Sequence, residues 1–328
     1  MENLRNVGID SGVAEKPQYV KHHISKKTRD AIFIIIMLAY PILQFVITWS
    51  FVNINSIIMA FQDVQGEFTF NNFKVIFDDI FNVNGTVQNH TGVSFLNDRT
   101  VILLNSFGFA LVTIFISLPL SLLFAYFLHK KMPAANVFRF IFFLPNIIPV
   151  AALTFAFVTG FNTDFGGYFA KIFGIDQDLL THYPTNQILV YGYCIWAGLG
   201  YNIILISGAI GRIPKELFES AELDHAGYFK EFIHVVIPCI WPTIVTLVVL
   251  GMTNVLTLYL QPYMLDSFGI GRYGTGTIAW NIFDAAQHQN KLNLRRASAY
   301  GLFFSLLWAP MIMLVRHFLS KKFEGVDY

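Results

Sequence analysis

The sequence has 328 residues, 55% of them hydrophobic and 13% charged, and its mean hydropathy of +0.53 excludes an ordinary soluble domain. The formal net charge of +1 and the pI of about 7.8 exclude the basic excess that is typical of nucleic-acid-binding proteins. The composition therefore predicts an all-α membrane protein whose chain crosses the bilayer several times.

Six uncharged apolar runs are long enough to cross a hydrocarbon core, which takes about 20 helical residues. They cover residues 31–51, 100–127, 140–161, 187–210, 239–263 and 297–315, and none contains Asp, Glu, Lys or Arg. Several prolines lie inside these runs, where they are tolerated and can bend a helix. In the third run, Pro145 and Pro149 predict such a bend. A cleavable signal peptide is not expected, because the polar first thirty residues precede a run of spanning length.

Lysine and arginine predict the orientation, because these residues are retained on the cytoplasmic side. If the N-terminus is inside, fifteen of the 22 lysine and arginine residues lie on the cytoplasmic side and seven lie outside. The predicted parts are a cytoplasmic tail (1–30), a six-helix transmembrane domain (31–320) with an external loop (52–99) and a cytoplasmic loop (211–238), and a cytoplasmic C-terminal tail (321–328). We interpret the basic N-terminal tail as a topology anchor beside anionic lipid head groups.

The fourth and fifth runs carry polar side chains that are costly in lipid and should therefore face protein or a wet cavity. They are Trp196, Tyr201, Asn202, Asn254, Tyr259 and Gln261. Amides and aromatic faces without formal charge suit a neutral, polyhydroxylated solute, so we assign this group to a substrate path. Hydrogen bonds between helices are the alternative for each residue taken alone.

The cytoplasmic loop contains a polar stretch, residues 214–242, that lies between two long apolar runs. Pro214 suits a first helical position, and Glu216 and Glu219 suit the first turns, where the helix dipole favours acids. Helical periodicity places Leu217, Phe218, Ala221 and His225 on one side of this helix and Glu219, Glu222 and Ala226 towards the other. Gly227 is the predicted stop, and a second helix over 228–237 should lead back to the membrane.

Within this stretch, Glu219-Ser220-Ala221-x-x-Asp224-x-Ala226, followed by Phe232, Val235 and Pro238, resembles the EAA motif of ABC importer permeases. The spacing, the cytoplasmic side and the position before the penultimate run all agree with that family. The elements around residues 60–73, 139–149 and 196–217 extend the resemblance to its carbohydrate branch. One departure is that His225 stands where the family has glycine, while Gly227 follows two places later. We call residues 211–238 the EAA segment.

The resemblance implies a type I ABC importer permease with the MetI-like fold, located in the bacterial cell membrane. Its EAA helix would dock into a cleft on a separate ATPase, with Glu219 as the anchor. The further coupling residues would be Ser220, Ala221, Asp224, His225, Ala226, Gly227, Phe232 and Pro238. The implied partners are a second, homologous permease subunit, two ATP-binding cassette subunits that use ATP and Mg²⁺, an external solute-binding protein, a carbohydrate and membrane lipid. No cofactor is expected on this chain itself.

Two other functions have weaker support in the sequence. An ion-coupled secondary transporter usually needs carboxylates or histidines within its spans, and the six runs contain no carboxylate. A membrane-embedded hydrolase could use Glu219, Glu222, Asp224 and His225 as an acid–base cluster, but no nucleophile or metal shell accompanies them. The sequence has no G-x-x-x-x-G-K-[ST] phosphate loop, so the chain is not expected to be the ATPase.

Overall fold

The computed structural model describes residues 25–81, 98–130, 132–161, 167–172, 174, 180, 185–267, 274–287 and 290–323. The chain divides into two compact units, residues 1–54 and 55–328. In its described part the first unit is entirely helical from Lys26 onwards. The predicted N-terminal tail up to residue 24, the external residues 82–97 and the tail 324–328 lie outside the described residues.

The regular secondary structure of the described residues consists of helices and one isolated antiparallel bridge between Gln62 and Phe68. The helices are α1 Lys26–Ala60, α2 Asn71–Phe81, α3 98–129, α4 Ala135–Ile147, α5 Val150–Phe161, α6 Tyr168–Ile172, α7 Thr185–Ile210, α8 Lys215–Leu223, α9 Tyr228–Glu231, α10 Trp241–Thr257, α11 Leu260–Ser267, α12 Ile278–Gln287 and α13 Lys291–Ser320. α9 continues through a π-helical turn to Cys239. Among the described residues, α1, α3, α7, α10 with α11, and α13 are long and apolar enough to cross a membrane, and α4 with α5 makes a sixth span when the bent pair is counted as one. The prediction of an all-α protein with six spans is therefore confirmed.

The third span is bent rather than continuous, as its prolines predicted. α4 and α5 differ in direction by 98° and are separated by Ile148 and Pro149. Ile148 has an extended backbone, with ψ of 133°, because a residue that precedes proline is disfavoured in the helical region. The span also begins earlier than predicted, at Ala135 rather than Phe140.

The first span is longer than predicted. The apolar run ends at Phe51 because polar residues follow it, yet the helix continues to Ala60. Asn53 explains part of this difference, since its side-chain amide donates to the carbonyl oxygen of Trp49 over 2.7 Å. A polar side chain that bonds to its own helix in this way does not end it.

The main core of the second unit lies where α3, α7 and α10 meet. Its most deeply buried members are Ala125 and Tyr126 of α3, Ile206 and Ile210 of α7, and Val236 beyond α9. Leu217 and Phe218 of α8 are partly buried and pack against this core. The EAA segment is therefore packed against the helices that precede it in the chain.

Gly200 of α7 lies very close to the backbone of α4. A Cβ atom placed there would lie 2.1 Å from the carbonyl oxygen of Phe142, far inside contact distance. We expect Gly200→Ala to destabilise the protein by about 1–3 kcal/mol, because the backbones of two packed helices must separate. The midpoint of thermal unfolding in detergent measures this effect.

Gly208→Ala is the matched control, since a Cβ at Gly208 of the same helix would have no neighbour within 4 Å. Alanine favours a helix interior over glycine by about 0.5–1 kcal/mol, so this variant should unfold at the same temperature as the wild type or slightly above it. Equal unfolding midpoints for the two variants would contradict the close approach.

Candidate functional site

The helix α8 begins as the sequence predicts, with a shift of one position. Pro214 is the N-cap residue, with φ of −54° and ψ of 137°, and the first helical residue is Lys215. Glu216 lies in the first turn, where its charge complements the helix dipole.

α8 has one face packed on its own chain and one face exposed. Ala221 is only 7% exposed, and Leu217 and Phe218 are half-buried against the core. Glu219 is exposed, and Leu223, one turn away on the same side, is 81% exposed. Of the other predicted coupling residues, Ser220, Asp224, His225 and Gly227 are exposed, Ala226 and Pro238 are half-buried, and Phe232 is buried.

The end of α8 differs from the prediction, which placed the stop at Gly227. The left-handed residue is His225, with φ of 51°, whereas Gly227 has an ordinary φ of −65°. The His225 amide donates to the carbonyl of Glu222 over 3.0 Å, and the Ala226 amide donates to the carbonyl of Ala221 over 2.9 Å. This pair of bonds is a Schellman motif, whose left-handed position is usually glycine. The helix therefore stops where the EAA family has its glycine, but with a histidine there.

Because a side chain in the left-handed region carries a conformational cost, we expect His225→Gly to stabilise the end of α8. Part of the roughly 1–2 kcal/mol cost is offset by the greater freedom of glycine in the unfolded chain, which leaves a net gain of about 0.5–1 kcal/mol. Amide exchange at positions 225 and 226 should slow by about two- to fivefold, as measured by hydrogen–deuterium exchange.

Gly227→Ala is the control for that measurement, because φ is negative at Gly227 and a Cβ there would meet no atom within 4 Å. It should leave exchange at 225 and 226 nearly unchanged. Faster exchange in His225→Gly than in the wild type would refute the strain at this turn.

A charged pair beneath α8 was not predicted from the sequence. Lys130 follows the last residue of α3, and its Nζ lies 2.7 Å from Oε1 and 2.8 Å from Oε2 of Glu231 on α9. Glu231 is 5% exposed. An acid seven residues before Pro238 was visible in the sequence, but nothing there indicates a partner 101 positions away.

A cavity of about 450 Å³ lies between the membrane-spanning helices of the second unit. Its lining comes from α3, from the bend between α4 and α5, and from α7, α10 and α11. The lining residues are Phe109, Thr113, Ser117, Pro145, Asn146, Ile148, Val150, Leu153, Tyr193, Cys194, Ala197, Gly198, Tyr201, Asn202, Leu247, Leu250, Gly251, Thr253, Asn254, Leu258 and Gln261. Within the described part of the chain, the lining includes hydroxyl and amide side chains but no Asp, Glu, Lys, Arg or His.

Four of the six residues predicted for the substrate path line this cavity, namely Tyr201, Asn202, Asn254 and Gln261. Trp196 and Tyr259 are outside the lining. The Trp196 side chain is 46% exposed, and its ring lies next to that of Tyr193, with 6.4 Å between the centroids. The Tyr259 ring packs on Phe283 with 4.7 Å between the centroids.

Further polar residues of the lining were not predicted from the sequence, including Thr113, Ser117, Asn146 and Tyr193. Thr113 and Ser117 are four residues apart on α3, a spacing that places both on one helix face. Asn146 stands between the two prolines of the bend, and its amide donates to the carbonyl of Ala197 over 3.1 Å. A polar residue beside a helix break was thus the signal that could have identified it.

A family model described as "Binding-protein-dependent transport system inner membrane component" matches residues 117–323, which is more than half of the chain. A curated relative is the arabinooligosaccharides transport system permease protein AraP of Bacillus subtilis (strain 168). It is 24% identical over 293 residues, which cover 87% of each chain.

Two solved structures share the fold, each with 18% sequence identity and a TM-score of 0.69. One is a bacterial ABC transporter involved in the import of the acidic polysaccharide alginate, where the match covers 90% of this chain and 98% of that chain. The other is a bacterial alginate ABC transporter in complex with an alginate pentasaccharide-bound periplasmic protein, with 91% and 98% covered.

Proposed function

This chain belongs to the family of binding-protein-dependent transport system inner membrane components, and on that premise we propose that it is the permease subunit of an ATP-driven carbohydrate importer. The cavity supports a carbohydrate as the solute, because its lining contains amide and hydroxyl side chains and no charged ones among the described residues. Such groups bind sugar hydroxyls by neutral hydrogen bonds. A neutral oligosaccharide fits this lining better than an acidic one, which would call for cationic side chains.

We further propose that α8 couples this chain to a separate ATPase, which would bind the ATP and Mg²⁺. The support is the division of α8 into an anchored face and an exposed face. Ala221, Leu217 and Phe218 fix the helix to its own chain, so Ala221 would contribute to coupling by holding α8 in place. Glu219, exposed on the opposite side, would make the contact with the ATPase. On this account the chain itself is not an enzyme.

The proposed assembly contains a second permease subunit, two ATPase subunits and an external solute-binding protein, in a bacterial cell membrane with both termini of this chain in the cytoplasm. The family description supports the dependence on a binding protein. The excess of lysine and arginine in the segments on the α8 side supports the sidedness.

Purification of the tagged chain from its native membrane in lipid nanodiscs, followed by mass spectrometry of every copurifying protein, tests the assembly. We expect an ATP-binding cassette protein and a second permease at comparable yield. A carbohydrate screen of the copurifying or genetically adjacent binding protein then identifies the solute class. Solute uptake driven by an ion gradient without ATP, or substrate turnover by the chain alone, would instead support the secondary transporter or the hydrolase.

A further inference from the structure

The Lys130–Glu231 pair joins two elements that are distant in sequence. Lys130 caps the C-terminal end of α3, and Glu231 ends α9 on the return path from α8 to the membrane. The side chains are 29% and 6% exposed, so the carboxylate is almost fully removed from water. A charge so placed depends on its partner, because an uncompensated buried charge is strongly destabilising.

Aromatic and hydroxyl groups complete the surroundings of this pair. The hydroxyl of Tyr126 on α3 lies 3.2 Å from Glu231 Oε1 and 3.1 Å from the carbonyl oxygen of Tyr228. The Lys130 ammonium also lies over the ring of Phe218 on α8, 5.3 Å from its centroid, and 5.9 Å from that of Tyr228. One ammonium therefore contacts α3, α8 and α9 at the same time, and attraction to the ring faces adds to the ion pair.

α3 connects this cluster to the cavity. Thr113 and Ser117 line the cavity and are the first and last residues of a π-helical turn in α3, and the chain continues as α-helix from Leu118 to His129. A helix is stiff along its axis and moves as a unit. If α8 is held against the end of α3, a displacement of α8 therefore also displaces the residues of α3 that line the cavity.

We propose that Lys130 and Glu231 are positioning residues that fix α9 to α3 and, through the contact of Lys130 with the Phe218 ring, also hold α8 there, so that a displacement of α8 moves the cavity-lining part of α3 with it. This inference rests on the proposed function, since it requires that α8 is displaced by an ATPase. In this role the pair sets how much transport accompanies each ATP hydrolysed, and its contribution to folding is secondary.

Charge reversal in the full complex, reconstituted in proteoliposomes with its partner permease, ATPase and binding protein, tests this role. Lys130→Glu and Glu231→Lys should each lower solute uptake per ATP hydrolysed by about tenfold, within the 5- to 150-fold range typical of coupling between sites. The double exchange, Lys130→Glu with Glu231→Lys, should recover most of the loss because opposite charges again face each other. Lys130→Arg, which keeps the cation, should retain coupling.

Lys74→Glu is the matched control, because Lys74 is exposed on α2, outside the EAA segment, and its reversal should not change uptake per ATP. A purely structural pair would lower the amount of assembled complex while each assembled complex still transported normally. The proposal is wrong if the single variants assemble less complex but keep normal uptake per ATP. It is also wrong if the double exchange assembles but its uptake per ATP remains low.

If charge reversal prevents assembly, a crosslink between the two positions tests the proposal instead. Lys130→Cys and Glu231→Cys are combined in a chain that carries Cys194→Ala and Cys239→Ala, and are joined by a short bis-methanethiosulfonate reagent that dithiothreitol removes. Because the proposal makes α3 and α9 one rigid body, uptake per ATP should rise on crosslinking and fall again on reduction. Loss of uptake on crosslinking would refute it. Absence of ATP-driven uptake by the wild-type complex would refute the proposed function instead.

Discussion

We expect Glu219→Lys to abolish transport-coupled ATP hydrolysis while the chain still inserts and assembles in the membrane. Glu219 is exposed on the side of α8 opposite the buried Ala221, so its reversal leaves the packing of this chain unchanged. In a docked complex the same carboxylate would be desolvated against the ATPase. Loss of one partner from such a buried charged contact costs about 2–5 kcal/mol, which corresponds to a loss of coupling of about 30-fold or more. Uptake and ATP hydrolysis in proteoliposomes measure the effect.

Glu67→Lys is the control for this substitution. Glu67 is an exposed glutamate in the turn before α2, on the predicted outer side, and its reversal makes the same change in net charge. It should leave coupling intact. If Glu219→Lys couples transport to hydrolysis as well as Glu67→Lys does, α8 is not the contact with the ATPase.

We expect Asn202→Leu combined with Asn254→Leu to lower solute uptake about tenfold or more at unchanged assembly. Both residues line the cavity, and leucine is close to asparagine in size but has no hydrogen-bonding group. Each neutral hydrogen bond contributes about 0.5–1.5 kcal/mol, and a site that loses two of them binds a sugar correspondingly less well. Basal ATP hydrolysis should persist, because neither residue belongs to α8 or to the rest of the EAA segment. Uptake of labelled solute at several concentrations measures the loss.

Trp196→Leu and Tyr259→Leu are informative controls, since sequence analysis assigned both residues to the substrate path and the structure places them outside the cavity lining. They should transport nearly as well as the wild type. A greater loss of uptake in these controls than in the asparagine variant would move the solute path away from this cavity.

The number of spans, the bend in the third span and the amphipathic character of α8 were predictable because each follows from local chemistry. Uncharged runs of sufficient length must be buried in lipid, and Pro149 restricts Ile148 whatever surrounds it. The division of α8 into two faces likewise follows from the spacing of Leu217 and Ala221.

Features that depend on residues far apart in the chain were not predictable. The side chain of Glu231 has its partner on α3, and no periodicity relates the two. The cavity lining selects Asn202 but not Trp196, because selection depends on how α7 is rotated against α3 and α10. The stop at His225 was missed for a different reason. Glycine is the usual residue in the left-handed conformation, so the helix end was predicted at Gly227. The EAA family has its glycine at the position of His225, and the helix ends there in this chain.

An uptake assay tests whether this chain is the permease of an ATP-driven carbohydrate importer. The proteoliposomes contain this chain, its second permease subunit and its ATPase, and the binding protein and a labelled carbohydrate are supplied outside. We expect uptake that requires both ATP and the binding protein and that disappears when Glu219→Lys replaces the wild-type chain. Uptake that continues without ATP, or that is unaffected by Glu219→Lys, would contradict the proposed function.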